Sequence, residues 1–101
     1  MRKITEQAVN AFLNNETFNK SNMTVTSERN ENKMYLHGNL IAKANEKGDI
    51  YISNAGWFSN TTKERLNGLG QRLGFSIYQK NWEWYLDGDN WDGDWIKVYG
   101  I

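Results

Sequence analysis

SNAGWFSNTTKERLNGLGQRL, Ser53 to Leu73, is the stretch on which the fold of this chain turns. Ser53-Asn54 leaves the apolar run Ile50-Tyr51-Ile52, Gly56-Trp57-Phe58 makes a corner, and Thr61-Thr62-Lys63-Glu64 opens a helix. The spacing predicts a capping box, with Thr61 accepting from the backbone N–H of Glu64 and Glu64 reaching back to that of Thr61. Leu66, Leu69 and Leu73 then share one helical face, which must be covered by something outside this stretch. Gly68 and Gly70 each weaken the helix by about 1 kcal/mol relative to Ala, so an early end or fraying is expected, with Gly74 as terminator.

On the N-terminal side, Ile4, Ala8, Val9, Ala11, Phe12 and Leu13 form one apolar stripe at helical spacing, with Thr5 as the expected N-cap and Asn14-Asn15 as the stop. Asn19 to Asn22 is turn material. Met23 to Ser27 alternates as a strand, and Glu28 to Lys33 makes a charged turn. Met34 to Ala42 continues as one strand with Met34, Leu36, Leu40 and Ala42 inward and Tyr35, His37, Asn39 and Ile41 on the other face. Gly38 marks a bulge within it. Asn45 to Asp49 is a hairpin turn that returns the chain through Ile50-Tyr51-Ile52.

On the C-terminal side, Phe75 to Gln79 and Trp82 to Leu86 alternate around a tight turn at Lys80-Asn81. Asp87 to Asp94 is an acidic turn holding Trp91, and Trp95 to Tyr99 is a last edge strand. The expected fold is α+β: an N-terminal helix, a three-stranded antiparallel meander, a second helix packed on the sheet and a C-terminal β-hairpin. With 101 residues, one domain spanning 1–101 is expected.

Composition narrows the function classes. Twelve basic and twelve acidic residues cancel, so no overall field draws the molecule to nucleic acid or anionic membrane. Cysteine is absent, which removes disulfides and thiolate metal sites and suits a reducing cytoplasm. Neither a cleavable signal nor a long apolar span is visible, so a cytoplasmic protein without membrane contact is expected.

The family resemblance rests on three ordered motifs: Tyr35-Leu36-His37-Gly38-Asn39-Leu40-Ile41-Ala42, then Ala55-Gly56-Trp57 running into Thr61-Thr62-Lys63-Glu64-Arg65-Leu66-Asn67, then Trp84-Tyr85-Leu86 followed by Trp91-Asp92-Gly93-Asp94-Trp95. In these the chain resembles a family of small uncharacterised proteins encoded by tailed bacteriophages. The resemblance implies a phage origin and action in the host cytoplasm, and it supplies no catalytic residues.

Candidate chemistry is sparse. His37 is the single histidine, with no metal-ligand spacing or nucleophile around it, and no catalytic residue, metal or cofactor is expected. The Asp87 to Asp94 run departs from a calcium loop because Trp91 falls on a ligand position, so a solvated turn is expected. The start of the second helix offers unpaired N–H groups, the hydroxyls of Ser59, Thr61 and Thr62, and the cations Lys63 and Arg65, enough for an anion. The candidate contact residues are therefore Trp57, Thr61, Thr62, Lys63 and Arg65, with His37 and Asn39 on the second strand and Trp91, Asp92 and Asp94 in the acidic turn. The expected function is a non-enzymatic phage accessory protein that binds a host macromolecule, in host takeover or counter-defence. The first partner is a host protein. The alternative is a nucleic-acid-binding module built on Lys63, Arg65 and neighbouring aromatics.

Overall fold

The computed structural model describes residues 1–100. Helix α1 (Lys3–Leu13) is followed by strands β1 (Phe18–Lys20), β2 (Met23–Glu28), β3 (Glu31–Leu36), β4 (Asn39–Ala44) and β5 (Ile50–Ile52). Helix α2 (Asn60–Leu73) leads into β6 (Ile77–Lys80), β7 (Glu83–Leu86), β8 (Asp89–Asn90) and β9 (Ile96–Tyr99). The α+β class holds, but the sheet is larger than the sequence suggests. Strands β1 to β5 lie side by side in chain order and β9 pairs with β5, giving six strands, while β6, β7 and β8 form a separate three-stranded sheet. Every pairing is antiparallel.

Turn chemistry explains the extra strands. Arg29-Asn30, His37-Gly38, Asn81-Trp82 and Asp87-Gly88 have positive φ at both positions. Each joins residues paired directly across it: Glu28 with Glu31, Leu36 with Asn39, Lys80 with Glu83, and Leu86 with Asp89. Such two-residue turns match the right-handed twist of the strands they connect. The expected single strand Met34 to Ala42 is thus a hairpin turning at His37-Gly38, and Gly38 supplies a turn rather than a bulge. The bulge lies further on: Met34 faces Ala42 and Tyr35 faces Leu40, leaving Ile41 as the extra residue. That reverses the expected facing of Leu40 and Ile41: Ile41 is buried, Leu40 is half-exposed, and Ala42 is buried as expected. The charged turn shrinks to Arg29-Asn30, the Asn19 to Asn22 turn gives up residues to β1, and the last hairpin turns one residue later than expected. At Asn45 to Asp49 the turn stands as expected, with Asn45 Oδ1 accepting from the N–H groups of Lys47 and Asp49, both at 3.0 Å.

One core joins the elements. Ala8, Val9 and Phe12 of α1 and Leu66 and Leu69 of α2 pack with Met23, Val25, Met34, Leu36 and Ile52 of the large sheet, and with Trp84 of the small one. Among the described residues, no helix is long and apolar enough to cross a membrane.

Two helix starts differ from expectation, for one reason. Thr5 is no cap: Arg2 occupies that position, and Thr5 is 1% exposed inside α1. Its hydroxyl donates to Glu64 Oε1 at 2.6 Å and accepts from Arg65 Nη1 at 3.0 Å. Because Glu64 is held by Thr5 and by Arg65, the Thr61–Glu64 capping box does not form. Ser59 caps α2 instead, its Oγ accepting from Thr62 N–H at 3.1 Å. Helix α2 runs through Gly68 and Gly70 to Leu73, and Gly74 ends it with φ 93° and an N–H donated to Gly70 O. Gly68 lies where the helices cross: a Cβ there would stand 2.3 Å from Thr5 Cγ2.

Two outcomes follow. Gly68→Ala, favourable by helix propensity alone, lowers stability by about 1–3 kcal/mol through this clash, measurable by urea denaturation. Burial alone raises the Glu64 pKa, but the hydrogen bonds from Thr5, Arg65 and the Arg2 N–H, with the Arg65 charge, outweigh it and hold the carboxyl below its ordinary value. A depressed carboxylate stabilises the fold above its unfolded pKa and loses that contribution as pH falls through the folded one. The unfolding temperature therefore drops on acidification below about pH 4.3, and Glu64→Gln, less stable at neutral pH, shows a smaller drop over that range.

Candidate functional site

The corner after β5 is built from one buried side chain. Asn54 accepts from Gly56 N–H through Oδ1 at 2.8 Å, and its carbonyl accepts from Trp57 N–H at 2.9 Å. Ala55 and Gly56 both take positive φ within this turn, and Trp57 and Phe58 emerge into solvent. Phe58 meets Trp84 edge-on with ring centres 5.2 Å apart, which braces the corner against the small sheet.

Between this corner and the β3–β4 turn lies a cleft of about 320 Å³. Leu36, Ile41 and Trp57 give it apolar walls, and His37, Asn39, Ser59, Thr61 and Thr62 bring polar groups to it. The β3–β4 turn is fixed from behind, because His37 N–H donates to Asn22 O at 2.8 Å. Asn22 Oδ1 in turn accepts from Arg65 Nη2 at 3.2 Å, so bonds run from the buried guanidinium to the edge of the cleft. On the helix side, the Thr62 and Ser59 hydroxyls stand 2.9 Å apart and occupy each other.

The ten expected contact residues separate into four groups. His37, Asn39, Trp57, Thr61 and Thr62 come together around the cleft. Lys63 follows them on α2 but turns toward the small sheet, its ammonium 5.8 Å from the Trp84 ring centre and 3.3 Å from Gln79 Oε1. Arg65 and Trp91 are internal. Arg65 is 3% exposed and committed to Thr5, Glu64 and Asn22, so the helix start presents one cation rather than two. Trp91 is buried beside Trp84, its indole N–H donating to Asp94 O at 2.9 Å, and it anchors the acidic turn instead of a partner. Asp92 and Asp94 stay exposed at a separate shallow hollow with Ser53, Asn54 and Gly93. Their carboxylates take up the N–H groups of Asp94 and Trp95 at 3.0 and 2.8 Å.

Sequence reasoning missed Leu36 and Ile41 as walls of this cleft, and took Ser59 as one of three hydroxyls at the helix start without assigning it the cap of α2. Ser59, placed before Asn60-Thr61-Thr62, was legible as a competing cap; Ile41 was hidden by the bulge that changes its facing. Among the described residues, no group of three or more His, Cys, Asp or Glu side chains is placed to hold a metal ion. An apolar floor edged by hydroxyls, an amide and an imidazole, with no carboxylate among the described lining residues, suits an apolar side chain or ring carrying a polar edge.

The fold and the cleft define a small α+β protein with a ready-made surface depression. A family model described as Kyanoviridae Gp96 protein matches residues 1–99, and the chain belongs to that phage protein family. No curated protein and no solved structure matches it.

The two tryptophans give opposite outcomes on substitution. Trp57→Ala, at a side chain 59% exposed, changes stability by no more than about 0.5 kcal/mol, whereas Trp91→Ala costs about 3–5 kcal/mol, both readable by chemical denaturation.

Proposed function

We propose that this phage protein is a non-enzymatic accessory factor that binds a host protein in the host cytoplasm, in the host-takeover or counter-defence class, and that it docks through the Trp57 cleft. The cleft carries the reading: an apolar depression walled by an exposed Trp and framed by hydroxyl and amide groups, with both sides fixed by hydrogen bonds to the fold behind them. Contact regions of this make-up, an aromatic anchor ringed by polar groups, are where binding energy concentrates. The nucleic-acid alternative draws on Lys63 and the exposed Trp57 and Tyr78. It is weakened by the burial of Arg65 and by a formal charge of zero.

Capture from host lysate tests the reading. The native protein retains a specific host protein at physiological salt, and Trp57→Ala, still folded, retains at least about tenfold less of it. Equal retention by the variant, or capture that depends on nucleic acid and vanishes after nuclease treatment, refutes docking of a protein in this cleft.

A further inference from the structure

Trp82 is the anomaly of the surface. It is 91% exposed at the tip of the β6–β7 hairpin and has φ 70°. The left-handed region is costly for a bulky side chain, and the second position of this turn type favours Gly. The comparable turns in this chain have Asn30, Gly38 and Gly88 there. The hairpin beneath Trp82 is stiff, since Tyr78 and Tyr85 stack across it with ring centres 5.4 Å apart and planes at 13°. A strained backbone thus holds a large apolar side chain, 91% exposed, out in water on a braced arm. Strain of this kind persists where a function holds it.

We propose that the indole of Trp82 seats in the Trp57 cleft of a second copy of this chain, and that two copies exchange these contacts about a two-fold axis. Volume fits: a cavity of about 150 Å³ takes a benzene ring, and about 320 Å³ leaves room for the larger indole. Chemistry fits as well. Leu36, Ile41 and Trp57 offer the ring an apolar seat, and the hydroxyl and amide oxygens around them can accept from its N–H. Charge is complementary. The hairpin and the turn after it expose Glu83, Asp87 and Asp89 against Lys80, while the cleft has no carboxylate among its described lining residues and lies at the positive end of α2. The same carboxylates disfavour nucleic acid or an anionic lipid surface as the seat for Trp82. Finally, knob and hole are linked within one chain: Phe58, next to Trp57, packs on Trp84, and Lys63, next to Thr62, bonds Gln79 of the same hairpin. Features on neighbouring surface of one chain can be shared reciprocally by two copies. Self-association covers the cleft, so a host target competes with it. The proposal rests on that cleft being the docking site.

Sedimentation equilibrium of the purified full chain tests it. The native protein forms dimers with a dissociation constant of about 10–100 µM. Trp82→Gly, which places Asn-Gly in the turn, is monomeric and unfolds at a temperature equal to the parent's or up to about 5 °C higher. Trp57→Ala, with the seat damaged and the knob intact, is monomeric too. A mixture of the two variants associates more than either alone but more weakly than the native protein, because the heterodimer makes one of the two knob-and-seat contacts. A native protein that stays monomeric to about 500 µM overturns the proposal, as does a dimer indifferent to Trp82→Gly or Trp57→Ala, or a mixture that associates as tightly as the native protein. Host capture by a protein that never dimerises leaves the docking reading standing and removes this one. Dimers with the expected variant pattern in a protein that captures nothing do the reverse.

Discussion

A guanidinium taken out of water must be neutralised and hydrogen-bonded, and Arg65 is the point where this chain meets that demand. Its partners come from three places: Glu64 beside it on α2, Thr5 on α1, and Asn22 in the β1–β2 turn. Removing a partner leaves the buried guanidinium short of its counter-charge or of a hydrogen bond, so the arrangement fixes how α2 lies across α1 and the sheet. Gly68 completes it by letting the helices approach at Thr5. Everything at the surface near Trp57 inherits its position from this joint, since Asn22 also receives the His37 N–H and thereby sets one side of the cleft.

The joint also explains which parts of the fold were legible in the sequence. Helix periodicity gave α1 and the Leu66–Leu69 face of α2, because apolar spacing alone determines which side of a helix is buried. The Asn45 to Asp49 turn was legible from its composition, and so was β9 as an edge strand. The caps were not. Thr5 and Glu64 carry the residue types of capping, and only partners about sixty positions away divert them to another task. Local pattern holds no signal for such a pairing.

The hairpins show the same limit. Arg29-Asn30 and Asn81-Trp82 take conformations that Asn and Gly normally announce, in settings where a longer or an earlier turn reads equally well. At His37-Gly38 the glycine was visible, but the apolar alternation runs on through a two-residue turn, so a bulge and a reversal looked alike. The cleft was half legible for this reason. Trp57, Thr61 and Thr62 stand close in sequence and came out together; His37 and Asn39 join them because of the reversal, and Ile41 because of the bulge beyond it. Formal charge misled at Arg65, where a cation at a helix start turned inward.

The sixth strand sets a hierarchy in time. Strands β1 to β5 pair with sequence neighbours, so that meander can assemble from short-range encounters. Strand β9 reaches β5 only after a detour of about 40 residues that contains α2 and the small sheet, and closing so long a loop is entropically slower. The edge of β5 is therefore the last seam to close and the first to breathe. Amide protons on β9 should exchange through local opening while those of β2 and β3 wait for the whole domain to unfold.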